Sequence, residues 1–221
     1  MRSHAIVLFL AFAFACGSQP ASNEHSAHTA NSAADHNMMA HANAANSNSG
    51  NANASSGHTM DSSPGAASAP YELQFLDSMA VHHQDAIRMS ELAETRALHP
   101  EIKEMAANII DVQERENAKM SEWRDRWFAE KGKAVNMDFP GMRDSMGRMD
   151  MKKLESLKGN DFDLEFLRQM IAHHEGAVKM AKDAQKIDSH AEIKELADNI
   201  IAAQTDEIRQ MREWLAEWSR Q

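Results

Sequence analysis

The chain has 221 residues and a formal net charge of −10, with 33 acidic against 23 basic side chains and a single cysteine. That balance excludes a nucleic-acid partner, which would need a basic stripe, and favours cations instead. One cysteine rules out internal disulfides, and the length allows one domain of ordinary size with a tail.

The first residues have the form of a secretory signal. Arg2 precedes an apolar run from Ala5 to Ala15 that is too short to cross a bilayer as a helix. Ala13, Phe14 and Ala15 make a small-x-small cleavage site, which predicts a signal peptide over residues 1–15 and a mature protein outside the cytoplasm. The sole cysteine, Cys16, follows at once. Its position resembles the lipobox of bacterial lipoproteins, whose cysteine is lipidated after cleavage, although Ala13 stands where Leu is commonest. The expectation is an envelope protein held to the membrane by a lipid on Cys16 and facing the periplasm or the cell surface; without that lipid it is periplasmic or secreted.

Residues 16–70 read as a disordered tether. Between Gly17 and Pro70 there is no Lys, Arg or aromatic residue, and Ala, Ser, Asn and Gly dominate, so little apolar area is there to offset chain entropy. The segment carries His25, His28, His36, Met38, Met39, His41, His58 and Met60. As His-rich low-complexity sequence it reads as a metal-collecting arm, with a plain hydrophilic spacer as the alternative.

From Tyr71 the chain is written twice. YELQFLDSMAVHHQDAIRM (Tyr71 to Met89) returns as FDLEFLRQMIAHHEGAVKM (Phe162 to Met180), and the match runs without a gap to Trp127 and Trp218. About 24 of roughly 57 aligned positions are identical, which marks an internal duplication. At ~100° per residue, Phe75, Leu76, Met79, His82, His83, Ala86 and Met89 share one helical face, while Asp77, Gln84, Asp85 and Arg88 point largely elsewhere. The histidines therefore look inward. Pro100 suits the first turn of a helix, so the spacing predicts helices from Tyr71 to Leu98 and from Pro100 to Glu130. The copy predicts helices from Asp161 to Ile187 and from Ser189 to Ser219, with Asn160 or Asp161 and Ser189 as N-caps. Residues 71–131 and 161–221 are then two αα-hairpins, neither able to bury its apolar face alone, and together they predict an all-α four-helix bundle over 71–221. The connector, residues 132–160, is long for a compact domain and rich in methionine; Met142, Met146 and Met149 keep the spacing of a short amphipathic helix.

Antiparallel hairpin geometry sets His82 and His83 level with Glu116, and Met79 level with Met120; the copies are His173, His174, Glu207, Met170 and Met211. The pseudo-twofold would gather these residues in one axial region. One histidine on an apolar face is usually a core residue with a hydrogen bond. Four of them, in two adjacent pairs, would each cost on the order of 1–3 kcal/mol without partners, so the set points to a metal site. Methionine also fills irregular cores, so Met79, Met120 and their copies read equally as ligands or packing, while Met89, Met180 and Met105 read as packing. Glu116 and Glu207 could be ligands, or could bond the imidazoles and fix their tautomers. Trp123, Trp127, Trp214 and Trp218 read as hydrophobic anchors, with a cation–π role as the lesser reading. His99 and His190 flank helix starts, where capping, exposure or ligation all remain open.

Ligand softness chooses the metal. Thioether and imidazole suit Cu(I), whereas a di-iron bundle wants Glu-x-x-His on two helices. Here the residues three before His82 and His173 are Met79 and Met170, so iron is the alternative and copper the first expectation.

The paired F-L-x-x-M-x-x-H-H-x-x-A-x-x-M segments with a Met-rich connector resemble the bacterial envelope family known as domain of unknown function 305, over about Tyr71 to Trp218. That resemblance implies a ferritin-like bundle, copper binding outside the cytoplasm and tolerance to copper or silver. Carried over by position, it points to Met79, His82, His83, Met89, Met170, His173, His174 and Met180 as ligands. The combined expectation is a metal-binding protein, not an enzyme, that buffers copper or hands it to a partner, as a monomer or a homo-oligomer. The rival is a metalloenzyme using His- and Glu-bound iron or copper on peroxide or metal ions, and a third reading is a metal-independent module with a histidine-containing core.

Overall fold

The computed structural model describes residues 61–220. The expected signal peptide, the lipidation candidate Cys16 and the His/Met positions from His25 to Met60 lie outside the described residues.

Four long helices carry the two repeats: α1 (Tyr71–Arg96), α2 (Pro100–Phe128), and, after two short connector helices α3 (Met142–Met146) and α4 (Met151–Ser156), α5 (Gly159–Ala184) and α6 (Ala191–Trp218). Helices α1 with α2 and α5 with α6 form the expected hairpins, and α1 packs against α5 to join them. Each helix ends within a few residues of its expected limit. The exceptions are at the starts: α5 begins at Gly159 after Lys158 and α6 follows His190, and neither has a side-chain cap, so Asn160, Asp161 and Ser189 are not the N-caps. The short helix α4, capped by Asp150 accepting from the Lys153 N–H, was not legible in the methionine spacing.

At α2, which also lacks a side-chain cap, and at α6, what such a cap would do is done across the hairpins. Asp163 on α5 accepts the backbone N–H groups of Leu98 and His99, at 3.1 and 2.9 Å, and the His99 Nδ1 at 2.6 Å. Its pseudo-symmetric counterpart, Glu72 on α1, accepts the backbone N–H and the Nδ1 of His190 at 2.7 and 2.8 Å. Each imidazole also stacks on the last tryptophan of the opposite repeat: His99 on Trp218 with centroids 3.8 Å apart, His190 on Trp127 at 3.9 Å. The start of each hairpin's second helix is thereby tied to the other hairpin. Tyr71 adds a third tie by donating to Asp183 near the end of α5; burial and that bond push the phenol up, and the same bond holds the Asp183 carboxyl down.

Residues 61–70, expected to belong to the tether, lie against the connector. Ser63 N–H donates to the Val135 carbonyl at 2.8 Å, and Ser62 Oγ accepts from Met137 N–H at 2.9 Å. The connector in turn covers the back of α1, where Asp77 accepts from Ala134 N–H and Ser78 from Asn136 N–H. Asp77 points away from the helix bundle as its angular position requires, yet it is buried beneath this strap. Helix α3 then drops into a notch on α5. A Cβ on Gly176 would stand 2.3 Å from Ser145 Oγ, and Gly141, at φ +93°, would bring a Cβ to 2.4 Å from the Gly176 carbonyl, so both positions need glycine.

The apolar core divides in two. One cluster holds Met89, Ile109, Phe162, Phe166, Met170 and Met211; the other holds Phe75, Met79, Met120, Met180, Leu196 and the connector's Met142. On both α1 and α5 the histidine pairs fall between them.

The clasps differ in burial, which sets their relative worth. Asp163 is fully buried and Glu72 is 18% exposed. Asp163→Ala strands two backbone N–H groups and should lower unfolding free energy by roughly 3 kcal/mol, against about 1 kcal/mol for Glu72→Ala, measured by urea denaturation.

Candidate metal centre

His82, His83, His173 and His174 have no exposed surface. They face inward because they occupy the apolar stripe of α1 and α5, and the antiparallel crossing of those helices brings the rings of His82 and His173 to 3.7 Å between centroids. Burial holds His82 and His173 well below the usual imidazole range, and the neighbouring histidines push the same way. The His82 carbonyl is near enough to His173 to oppose this weakly, without reaching hydrogen-bond geometry. The two rings in contact are therefore neutral at pH 7.

Hydrogen bonding selects one tautomer for three of the four rings. His83 Nε2 lies 2.8 Å from Glu116 Oε2, and His174 Nε2 lies 2.9 Å from Glu207 Oε2; a carboxylate only accepts, so in each ring Nε2 carries the proton. His82 Nε2 is 2.9 Å from Ser145 Oγ. That hydroxyl has the Gly141 and Met142 carbonyls at 2.8 and 3.0 Å to donate to, so it accepts from His82 Nε2–H. In the neutral form of all three rings the lone pair is on Nδ1. None of these Nδ1 atoms has a partner, and neither nitrogen of His173 has one. Five buried imidazole nitrogens stand unsatisfied on four rings, two of which are in contact, where native cores pair nearly all such atoms. A carboxylate behind an imidazole whose other nitrogen is free is the arrangement that orients and strengthens metal-ligating histidines.

The hairpin geometry thus places Glu116 and Glu207 behind the histidines. The thioethers are placed differently from the single ring of ligands expected. Met79, Met120 and Met180 belong to one apolar cluster and Met89, Met170 and Met211 to the other, flanking the imidazoles. All six are buried. Among the described residues no three His, Asp, Glu or Cys side chains are already gathered as a metal cage, so a bound ion would draw on imidazole together with thioether. His99 and His190 stand apart, in the clasps at the ends of the bundle.

Sequence reasoning missed Ser145. It lies on the connector, which has no copy, and nothing in its spacing marks it. Gln113 and Gln204 were also passed over as functional residues. They are the same residue in the two repeats, buried, and each has an unpartnered Oε1; their identity across the duplication was the available signal.

The doubled histidine motif on this bundle matches one family along most of its length. The family model for Domain of unknown function (DUF305) covers residues 72–215. The chain belongs to the DUF305 family. Among solved structures, CopM in the Cu(I)-bound form is 39% identical, with a TM-score of 0.57 over 66% of this chain and 96% of that one. CopM in the Cu(II)-bound form is 40% identical, with a TM-score of 0.58 over 66% and 97%. A DUF305 protein from Streptomyces coelicolor is 33% identical, with a TM-score of 0.59 over 67% and 94%. No curated protein matches. The shared fold is the all-α bundle expected from the repeats. No helix among the described residues of this DUF305 protein is long and apolar enough to cross a membrane.

The depressed imidazoles carry a signed pH dependence. Unfolding restores His82 and His173 to the ordinary value of 6.5, so below that pH the unfolded chain binds protons that the folded chain refuses. Stability of the metal-free protein is full above pH 6.5 and falls as the pH drops, by up to about 1.4 kcal/mol per pH unit for each histidine. Urea midpoints between pH 7.5 and 5 measure this. The double variant His82→Gln with His173→Gln should flatten the slope.

Proposed function

We propose that this protein binds Cu(I), and Ag(I) by the same chemistry, outside the cytoplasm, and that it buffers the ion or passes it to another protein. The observation that carries this reading is the set of unpartnered Nδ1 atoms on His82, His83 and His174, with both nitrogens of His173 unpartnered, inside a core that also contains the six candidate thioethers. Imidazole and thioether select a soft monovalent ion. The likeness to CopM, which is seen in Cu(I)-, Cu(II)- and Ag-bound forms, supports the same class of ion here. The signal-like Met1 to Ala15 and the placement of Cys16 support an envelope location with a lipid anchor.

The residues that would hold the ion are His82, His83, His173 and His174 through Nδ1, or either nitrogen for His173, with Met79, Met120 and Met180 or Met89, Met170 and Met211 supplying sulfur from the adjoining clusters. Glu116, Glu207 and Ser145 would keep Nε2 protonated and the rings aimed inward. We assign binding and not catalysis. Met79 and Met170 occupy the positions at which an oxygen-activating di-iron bundle places glutamate, and the two central carboxylates are engaged with imidazoles.

Two measurements separate ligands from supporting groups. Replacing His82, His83, His173 and His174 together by Ala should lower Cu(I) stoichiometry in an anaerobic competition titration while the helical circular dichroism persists; unchanged stoichiometry and affinity would remove the assignment. Replacing Glu116 and Glu207 by Ala should weaken Cu(I) binding by about 10–100-fold at unchanged stoichiometry, because the imidazoles lose orientation and not their lone pairs. A fall in stoichiometry would instead make the carboxylates ligands.

A further inference from the structure

The four histidines are sealed from solvent, so an ion has to come through the bundle wall. The wall is not equally closed. Helices α1 and α2, α5 and α6, and α1 and α5 pack along their lengths, and α3 plugs the notch at Gly176 over His82. Helices α2 and α6 are not among the helix pairs whose backbones pack closely. A cleft of about 40 Å³ lies between them, lined by Ile109, Gln113, Glu116, Ile200, Gln204 and Glu207. A water needs roughly 10–15 Å³ measured this way, so the cleft has room for a few waters or for a partly hydrated ion.

The lining is chemically one-sided. Glu116 and Glu207 are 12% and 17% exposed, and each bonds the Nε2 of an inner histidine, so the carboxylates connect solvent to His83 and His174. Gln113 and Gln204 are 3% exposed and each has a buried Oε1 without a donor. An apolar seam would have been simpler to pack at these positions. Two carboxylates with two unpaired amide oxygens attract a cation and can replace part of its hydration shell on the way in.

We propose that the cleft between α2 and α6 is the portal by which cations reach the buried imidazoles, with Glu116, Glu207, Gln113 and Gln204 as an oxygen-lined transit site and His83 and His174, whose Nδ1 atoms lie beyond the Nε2–H bonded to those carboxylates, as the first imidazoles met. This inference rests on the metal-binding reading above. It differs in making a statement about rate: the portal governs how fast the ion arrives, and the imidazoles and thioethers govern how tightly it stays.

The experiment is anaerobic stopped-flow transfer of Cu(I) from a coloured chelator to the full chain, beside an equilibrium titration of the same samples. Asn108 and Ala203 line the cleft from exposed positions, so Asn108→Phe with Ala203→Phe fills its mouth without touching a ligand. The filled variant should load at least about tenfold more slowly at unchanged affinity and stoichiometry. Ala202→Phe, also exposed on α6 but off the cleft, should load at the wild-type rate. Wild-type loading by the filled variant, or equal slowing by Ala202→Phe, would overturn the portal and leave the metal site standing. A wild-type protein that takes up no Cu(I) at all would overturn both.

Discussion

The structure depends on the contact of two neutral imidazoles, His82 and His173, where α1 crosses α5. What surrounds them keeps four rings dry and holds the two in contact uncharged. Apolar clusters close over both sides, carboxylates and a hydroxyl take the outer N–H groups, and nothing pairs the inner lone pairs. An unsatisfied buried nitrogen costs on the order of 1–3 kcal/mol. Five of them amount to a sizeable part of the roughly 5–15 kcal/mol by which a domain of this size is stable. A core under no other demand would carry Leu or Phe there. The metal-free fold is thus less stable than its packing permits, and a ligand that satisfies those lone pairs stabilises it by mass action.

Duplication explains how such a centre was assembled, and the connector explains why it is not symmetric. Glu116 with His83 and Glu207 with His174 are the same interaction made twice, as are the Asp163 and Glu72 clasps. Ser145 is used once. It reaches His82 because α5 has Gly176 where α1 has Asp85, which gives α3 a notch on one repeat only. His82 is therefore locked by a hydrogen bond while its counterpart His173 has none. The two halves of the centre are unequal in how their rings are held, and His173 is the ring with both nitrogens unengaged.

Most of the bundle was legible in the sequence because it is a consequence of periodicity. The spacing of Phe75, Met79, His82 and Ala86 fixes which way α1 faces, and the hairpin register places Glu116 beside His83 without further information. Three kinds of feature escaped. Ser145 and α4 belong to a segment without a copy and without strong periodicity, so only tertiary packing defines them. The starts of α2 and α6 carry no local cap, because Asp163 and Glu72, distant in sequence, take the free N–H groups. The division of the methionines into two pools follows from where α1 and α5 cross, and the crossing point is set by side-chain volumes along both helices, which spacing does not encode.

That division bears on which charge the centre accepts. An ion among Nδ1 atoms and thioethers sits between two apolar clusters, where moving charge out of water is expensive. The Born cost grows with the square of the charge, so a divalent ion faces about four times the penalty of a monovalent one in the same cavity. Neutral imidazole and sulfur ligands compensate little of it. The nearest negative charges, Glu116 and Glu207, stand one imidazole further out at the rim, bonded to Nε2. From there, attenuated by the intervening ring and by their own partial solvation, the two carboxylates together offset only part of a charge at the centre. Two such carboxylates behind neutral inner ligands favour univalent ions at the centre, whereas hard divalent ions are better served by the oxygens of the cleft. The ordering from oxygen at the α2–α6 surface, to nitrogen at the crossing, to sulfur in the flanking clusters is an ordering from hydrated and hard to dry and soft, and an ion able to follow it inward is selected by its softness where oxygen gives way to nitrogen and sulfur.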